Sequence, residues 1–222
     1  MIEAKASTHH IRRAYNLYSL FYGAVVAPLE RKPRMLGLEK AGILPQDKVL
    51  EVAVGPGITL TEILKKVDRT TVVYGVDLSP KMLEKARRRV SAAGYANLDL
   101  QEADARELPF PDGTFDVLYN SYMLDLIPLK DLPVVLGEFR RVLKAGGRVV
   151  LVNMSKENEG VVTWYERLYQ RLPARLVSYL VGGCRPVLAE GLVREAGFRE
   201  VTRDYIRQFL TSEIVTARKP KV

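Results

Sequence analysis

The segment 48–77 constrains the fold of this chain more than any other part of the sequence. It opens with an apolar run, 49–54, broken only by Glu51, as expected of a buried parallel strand. The turn Gly55-Pro56-Gly57 fits neither a helix nor a strand. Helically spaced apolar residues and a second apolar run, 72–76, follow. The pattern predicts a β-turn-α-β unit whose parallel strands need a right-handed crossover.

A β-turn-α-β unit binds a nucleoside at the carboxyl ends of its strands. In this arrangement Gly55 and Gly57 would let the backbone approach the ligand without a Cβ in the way. Asp77, twenty residues after Gly57, could accept hydrogen bonds from both hydroxyls of a ribose. Thr59 is the expected N-cap of the helix between the strands, and Ser79 is that of the helix after Asp77. A later helix is expected over 129–143.

The glycine spacing separates two kinds of nucleotide site. A dinucleotide fingerprint requires a third glycine where the chain has Leu60, and the Gly-Lys-Ser/Thr of a P-loop is absent. What remains is acidic-x-small-x-Gly-x-Gly, carried by Glu51, Ala53, Gly55 and Gly57. It resembles motif I of the class I S-adenosylmethionine-dependent methyltransferases, with Ala53 in place of the family's first glycine.

Three further stretches resemble motifs of the same family, in the same order. They are DLSPKML at 77–83, LPFPDGTFD at 108–116 and FRRVLKAGG at 139–147, and Asp104 occupies the position that recognises the adenine amino group. The resemblance covers residues 48–153 and implies S-adenosylmethionine as the cofactor. The cofactor-binding residues it implies are Glu51, Ala53, Gly55, Gly57, Asp77, Leu78, Met82, Asp104, Ala105 and Asn120.

The same resemblance implies the fold. It is an α/β, Rossmann-like three-layer sandwich around a mostly parallel seven-stranded sheet with one antiparallel strand. We expect a single methyltransferase domain over residues 1–222. Within it, 1–46 would form a helical N-terminal lid, 47–153 the cofactor-binding core, and 154–222 a lid helix followed by a hairpin.

The composition limits the other functions open to the chain. With 222 residues, 47% hydrophobic and 27% charged, it has the size and composition of one globular domain. One cysteine, Cys184, excludes an internal disulfide framework, and two histidines, His9 and His10, disfavour a zinc or iron site. We predict no metal. Because no apolar stretch could span a bilayer and no signal peptide is evident, we expect a cytoplasmic protein with peripheral membrane contact.

Methyl transfer from a sulfonium needs orientation and exclusion of water more than strong acid or base chemistry. No catalytic triad or paired carboxylates are visible in the sequence. Asp125, just beyond the fourth strand, is the candidate base, and its alternative role is to cap the following turn. Tyr22 is the second candidate catalytic residue. Tyr15, Tyr18 and Tyr122 are candidate substrate-binding residues.

The acceptor is predicted from the flanking segments. The tyrosine-rich segment 15–22, the segment 162–180 with its tryptophan, tyrosines and arginines, and the net charge of +8 favour an amphiphile. A phospholipid amine and a quinone precursor are the preferred examples, because these segments resemble the quinone- and phospholipid-methylating branches. The alternative is that both segments simply pack on the core, leaving a soluble small molecule as acceptor.

Two other classes of protein remain open from the sequence. A nucleic-acid methyltransferase would suit the basic charge, but it requires an Asn/Asp-Pro-Pro-Tyr loop where the chain reads Asn120-Ser121-Tyr122-Met123. Nucleic acid is therefore a disfavoured partner. A non-catalytic protein that keeps only the nucleoside pocket is the other, and it would bind the donor without turnover.

Overall fold

The structure is a computed structural model that describes residues 1–4, 27–158, 163–173, 176–177, 183–208 and 211–221. The candidate residues Tyr15, Tyr18 and Tyr22 lie outside these ranges. The predicted division into a lid, a core and a C-terminal part stays a prediction, because about half of 1–46 and a part of 154–222 fall outside the described residues as well.

Seven strands form a single sheet among the described residues. They are β1 (Val49–Val52), β2 (Val73–Asp77), β3 (Leu98–Glu102), β4 (Phe115–Ser121), β5 (Leu143–Met154), β6 (Arg199–Ile206) and β7 (Ser212–Arg218). Their order is β3-β2-β1-β4-β5-β7-β6. The first five strands pair in parallel, whereas β7 runs antiparallel to both β5 and β6. The predicted fold class is confirmed.

Helices pack on both faces of the sheet. They are α1 (Ala27–Lys40), α2 (Ile58–Leu64), α3 (Pro80–Ala92), α4 (Leu132–Val142), α5 (Trp164–Arg171) and α6 (Ala189–Glu195), with short 3-10 turns at Leu124–Leu126 and Leu129–Asp131. The apolar residues of α1, α2 and α3 share one core cluster with one face of the sheet. Those of α4 and α6 share a second cluster with the other face.

The close approach of α1 to the sheet depends on Gly37. A Cβ at Gly37 would lie 2.7 Å from a methyl group of Val152 and 2.9 Å from the Tyr119 hydroxyl. That hydroxyl donates to the carbonyl oxygen of Arg34 at 2.9 Å. Helix α1 is therefore held directly against β4 and β5, which fixes the position of Arg34.

Two predicted boundaries are wrong for identifiable reasons. Thr59 does not cap α2, because the helix starts at Ile58 with Gly57 as its N-cap. The helix expected over 129–143 is α4, which ends at Val142; Leu143 already pairs with Phe115 as the first residue of β5. By contrast, Ser79 caps α3 as predicted, since its side chain accepts a hydrogen bond from the Met82 N–H.

Candidate functional site

A pocket opens at the carboxyl ends of β1, β2 and β4, where a doubly wound sheet binds its ligand. Its wall is formed by the ends of these strands, by the loops that follow them and β3, and by one residue each of α1 and α3. The lining residues are Arg34, Val52, Ala53, Gly55, Pro56, Val76, Asp77, Leu78, Ser79, Met82, Ala103, Asp104, Ala105, Arg106, Ser121, Tyr122, Met123, Leu126, Ile127 and Pro128. Seven of the ten residues predicted to bind the cofactor are among them.

The two glycines of the turn have different structural roles. Gly55 lines the pocket with φ +51°, and a Cβ there would meet no atom within 4 Å. Gly57 has φ +77°, but a Cβ there would lie 2.8 Å from the Cα of Ala86 on α3. Gly57 is thus required for the packing of the turn against α3, which differs from the direct ligand contact expected of it.

Two residues at strand ends hold a strained backbone at the pocket wall. Ala53 follows β1 with φ 60° and Tyr122 follows β4 with φ 54°. A left-handed conformation costs a residue with a side chain about 1–2 kcal/mol. The strain at Ala53 gives a physical reason why the family places glycine at this position, and it lies where backbone outliers cluster in functional sites.

Asp77 ends β2 and connects the glycine turn to α3. Its Oδ2 accepts the Gly55 N–H at 2.8 Å, and its Oδ1 accepts the Ser79 N–H at 2.8 Å. Burial raises the pKa of Asp77 to about 6, although these backbone hydrogen bonds act to lower it. Each carboxylate oxygen can accept further hydrogen bonds from a ligand in the pocket.

Asp104 is engaged by a neighbouring arginine. Both of its carboxylate oxygens accept hydrogen bonds from the side chain of Arg106, at 3.0 and 2.6 Å, and Arg106 also pairs with Asp131 at 3.0 Å. Burial raises the pKa of Asp104, but the hydrogen bonds and charge of Arg106 outweigh it and hold that pKa below its usual range. Asp104 is therefore a fixed, ionised acceptor at the pocket wall.

Arg34 is a pocket residue that the sequence motifs did not reveal. It is 5% exposed, pairs with Glu30 one turn earlier on α1, and donates to Thr59 Oγ1 at 3.3 Å. Its guanidinium carbon lies 5.2 Å from the centre of the Tyr122 ring. The residue belongs to no local motif, because only the docking of α1 on the sheet brings it to the glycine turn.

The structure does not bring four predicted site residues to the pocket wall. Gly57 packs on α3, and Asn120 is buried with its side-chain amide donating to the Val52 carbonyl oxygen at 2.8 Å. Glu51 is buried, and burial raises its pKa well above the usual value while the charge of Arg34 lowers it. The fourth is Asp125.

Asp125, the candidate base, is fully buried behind the pocket wall. Its Oδ2 accepts the Met154 N–H at 3.4 Å. Burial and the charge of Glu30 raise the pKa of Asp125 to about 7, against the lowering effect of the Met154 N–H and of Arg185. The alternative role is wrong: Asp125 lies inside the 3-10 turn Leu124–Leu126, whose N-cap is Met123 with no side-chain cap. Its role as a base stays a prediction.

The described residues also bear on metal binding and on membrane-spanning helices. No group of histidine, cysteine, aspartate or glutamate side chains in the described ranges is arranged to hold a metal ion. Likewise, none of the helices described is long and apolar enough to cross a membrane.

The sequence of the chain is similar to those of known methyltransferases. A family model of a methyltransferase domain matches residues 49–147. Over 125 residues the chain is 36% identical to a phosphatidylethanolamine N-methyltransferase of Cereibacter sphaeroides, covering 56% of this chain and 59% of that protein. Over 139 residues it is 41% identical to a demethylmenaquinone methyltransferase of Symbiobacterium thermophilum, covering 62% and 54%. The chain thus spans less than two thirds of either relative.

Solved structures share the fold along most of the chain. The cyclase SpnF superposes with a TM-score of 0.78 at 18% identity, covering 97% of this chain and 98% of the other. An S-adenosylmethionine-dependent methyltransferase from Aquifex aeolicus superposes with a TM-score of 0.62 at 22% identity, covering 87% and 93%. At these identities the likeness concerns the fold alone.

The resemblance predicted from the four motifs is confirmed by the matched residues, by the relatives and by the strand order. Residues 49–147 are therefore a methyltransferase domain of the class I S-adenosylmethionine-dependent type.

Proposed function

We propose that the chain transfers a methyl group from S-adenosylmethionine to an amphiphilic acceptor, either a phospholipid amine or a quinone precursor. The pocket at the carboxyl ends of β1, β2 and β4 carries the proposal for the donor. The names of the two relatives, one a phospholipid and one a quinone methyltransferase, support the class of acceptor.

The pocket has groups suited to each part of the donor. Asp77 would accept hydrogen bonds from the ribose hydroxyls, and Asp104 would accept one from the adenine amino group. Gly55 leaves room for the donor beside the turn, because no atom lies within 4 Å of the position of its missing Cβ. The guanidinium of Arg34, which donates to Thr59, would attract the carboxylate of the methionine part of the donor.

S-adenosylmethionine supplies an electrophilic methyl group on a sulfonium, and the acceptor's nucleophilic atom displaces the sulfur in line. The protein has to hold the two molecules in that alignment and keep water out. Tyr122 and Ser121, at the end of β4, line the pocket. The Tyr122 hydroxyl is hydrogen-bonded to Ser212 Oγ at 2.9 Å, so its ring is a fixed surface against which an acceptor can pack.

Donor binding should depend on pH through Asp77. Since its pKa lies near 6 and the ribose hydroxyls require the ionised carboxylate, affinity should be constant above that pH. Below it, affinity should fall towards tenfold per pH unit as Asp77 is protonated, about 1.4 kcal/mol for each unit. Calorimetric titration with S-adenosylmethionine across pH 5 to 8 measures this profile.

Asp77→Asn is the matched control for the pH profile, because it keeps the shape of the side chain and cannot titrate. Its affinity should be weak but flat over the same pH range. An equally steep profile in Asp77→Asn would assign the titration to another buried carboxyl group, such as Glu51 or Asp125.

The amphiphilic acceptor is supported by the surface of α5. The exposed face of this helix carries Trp164, Arg167, Leu168 and Arg171, spaced i, i+3, i+4 and i+7. Trp164 is 64% exposed and Leu168 is 43% exposed. An aromatic ring, an aliphatic side chain and two cations on one face are typical of a helix that lies in a lipid interface.

The opposite face of α5 is anchored to the segment that follows β5 and to the segment that precedes α6. Tyr165 and Tyr169 are buried there, and their hydroxyls donate to the carbonyl oxygens of Cys184 and Gly183. Glu166 completes a capping box with Thr163 and forms a buried ion pair with Lys156 at 3.0 Å. The exposed face is thus presented by a helix in fixed position.

We expect measurable, salt-sensitive binding of the chain to anionic vesicles. A cation near an anionic surface contributes about 1 kcal/mol, so Arg167→Glu with Arg171→Glu should weaken the binding at least about tenfold. Vesicle flotation at low and high salt measures it. Arg175, a further arginine of the segment 162–180, lies outside the described residues.

A charge-matched control uses two exposed cations outside α5, Lys66→Glu just after α2 and Arg88→Glu on α3. This variant has the same net charge as the α5 variant and should keep most of the vesicle binding. Equal losses in both variants would mean that net charge, and not the α5 face, attracts the membrane. Wild-type protein that stays in solution at low salt would contradict peripheral membrane contact.

A transfer assay with labelled methyl donor tests the activity itself. The acceptors should include phosphatidylethanolamine vesicles, a demethylated short-chain quinol, small soluble amines and RNA. Transfer to the vesicles or the quinol supports the proposal, and transfer to soluble amines or RNA alone contradicts the amphiphilic acceptor. Donor binding without transfer to any of them contradicts the enzymatic role.

A further inference from the structure

A second group of polar side chains, outside the donor pocket, is fully buried near the carboxyl end of β5. It consists of Asp125, Asn153 and Arg185, which have no exposed surface. Oδ1 of Asp125, both polar atoms of the Asn153 side chain, and Nε and Nη1 of Arg185 have no hydrogen-bond partner among the described residues. We call these three residues the Arg185 cluster.

Main-chain hydrogen bonds bring the three segments of the cluster together. The Arg185 N–H donates to the carbonyl oxygen of Asp125 at 3.2 Å, and the Val187 N–H donates to that of Met154 at 2.9 Å. The Met154 N–H in turn donates to Asp125 Oδ2 at 3.4 Å. Asn153 directly precedes Met154, so the backbone segments that carry the three side chains meet near the end of β5.

The cluster lies directly behind the pocket wall. Nη2 of Arg185 donates to the carbonyl oxygen of Ile127 at 2.5 Å, and Ile127 lines the pocket. Met123 and Leu126, on either side of Asp125 in the sequence, line it too. A displacement of the segment 123–127 would join the cluster to the pocket.

Buried polar groups are stable only when they are hydrogen-bonded, and buried charges only when they are paired as well. Five atoms of the Arg185 cluster have no hydrogen-bond partner within the described part of the chain, so their hydrogen bonding is incomplete there. A guanidinium with two unused donors suits an anionic oxygen above other ligands. The unused carboxylate oxygen of Asp125 suits a hydrogen-bond donor next to that anion.

We propose that the Arg185 cluster forms the polar end of the acceptor site and that Arg185 binds a negatively charged oxygen of the acceptor. The inference rests on the proposed function and adds a recognition residue to it. Two acceptors carry such an oxygen, the phosphate of a phospholipid amine and the ionised ring hydroxyl of a quinone precursor. In both, Asp125 accepts a hydrogen bond from a second group of the same acceptor, an ammonium or a hydroxyl.

The variant that tests the proposal is Arg185→Lys, which keeps the charge and removes the planar set of donors. Transfer rates are measured with phosphatidylethanolamine vesicles and with the demethylated quinol, and donor affinity is measured by calorimetry. We expect the KM for the acceptor to rise at least tenfold, with affinity for S-adenosylmethionine within twofold of wild type. The acceptor arm in which KM rises identifies the source of the anionic oxygen.

The matched control is Arg203→Lys. Arg203 is also largely buried in the C-terminal part of the chain, but its side chain is paired with Glu213 at 2.6 Å. This variant should change neither the KM nor donor affinity. As a second variant in the cluster, Asn153→Ala removes atoms that bond to none of the described residues, so it should fold and should raise the acceptor KM severalfold.

Binding without turnover separates this inference from the proposed function. In calorimetry, glycerophosphoethanolamine or the quinol should bind to wild type. Arg185→Lys should bind the same probe at least tenfold more weakly. If wild type transfers no methyl group but this difference in binding is found, the enzymatic role fails and the inference stands. If Arg185→Lys behaves like Arg203→Lys, or if neither probe binds wild type, the inference is overturned and the cluster holds only water.

Discussion

Asp77→Ala should lower the affinity for S-adenosylmethionine at least tenfold while the protein stays folded. A charge-assisted hydrogen bond contributes about 1.5–3 kcal/mol, and the carboxylate can receive both ribose hydroxyls. The same substitution removes the acceptor of the Gly55 and Ser79 N–H groups, both at 2.8 Å, so the glycine turn loses its anchor as well. Calorimetry measures the affinity and far-ultraviolet circular dichroism the fold.

Asp116→Ala is the matched control for Asp77→Ala. Asp116 also accepts a backbone N–H, from Lys48 at 2.9 Å, and pairs with Lys144, but it lies near the start of β4 and not among the residues that line the pocket. Its replacement should leave donor affinity unchanged. Unchanged affinity in a folded Asp77→Ala variant would mean that the nucleoside binds elsewhere. Asp104→Ala should act in the same direction more weakly, because adenine is also held by apolar contacts.

Gly57→Val should destabilise the whole domain. A side chain at φ +77° costs about 1–2 kcal/mol, and forcing a Cβ to 2.8 Å from the Ala86 backbone adds about 1–3 kcal/mol. We therefore expect a loss of roughly 3 kcal/mol in the free energy of unfolding, measured by urea denaturation. Loss of donor binding would follow from this loss of structure.

Gly55→Ala is the informative partner of Gly57→Val. Its Cβ meets no atom within 4 Å, so only the strain of φ +51° opposes folding, and the new methyl group lies at the pocket wall. We expect a folded protein whose donor affinity is reduced. If Gly57→Val were as stable as wild type, the turn would not pack tightly against α3 at Gly57. If Gly55→Ala bound the donor normally, the donor would not approach this turn.

The sequence was sufficient for the donor half of the fold because its signals there are local. The spacing within 48–77 defines one β-turn-α-β unit, and Ser79 followed by Pro80 marks the start of α3 by capping chemistry alone. The positions of Asp77 and Asp104 at the pocket follow from the same rule, since parallel strands end at one edge of the sheet.

Other features depended on contacts between distant segments and could not be read locally. Arg34 reaches the pocket only because Gly37 lets α1 approach the sheet, and no motif marks either residue. Gly57 resembles a ligand-binding glycine because it shares a motif with Gly55. The difference is a neighbour, Ala86, which lies 29 residues further along the chain. The position of Asp125 after β4 is a local signal, whereas no local signal places Arg185 beside it.

The position of β7 in the sheet has a consequence for how the chain is made. The parallel strands β1 to β5 are complete when residue 154 has been synthesised, but the edge of β5 that β7 later pairs with, along 148–154, is then free. Among the described residues, 212–218 cover the edge of β5 along 148–154, and the same residues hold β6 in place. A ribosome-bound or truncated chain ending before residue 212 would therefore expose the edge of a long apolar strand, the kind of surface at which chains aggregate and chaperones act.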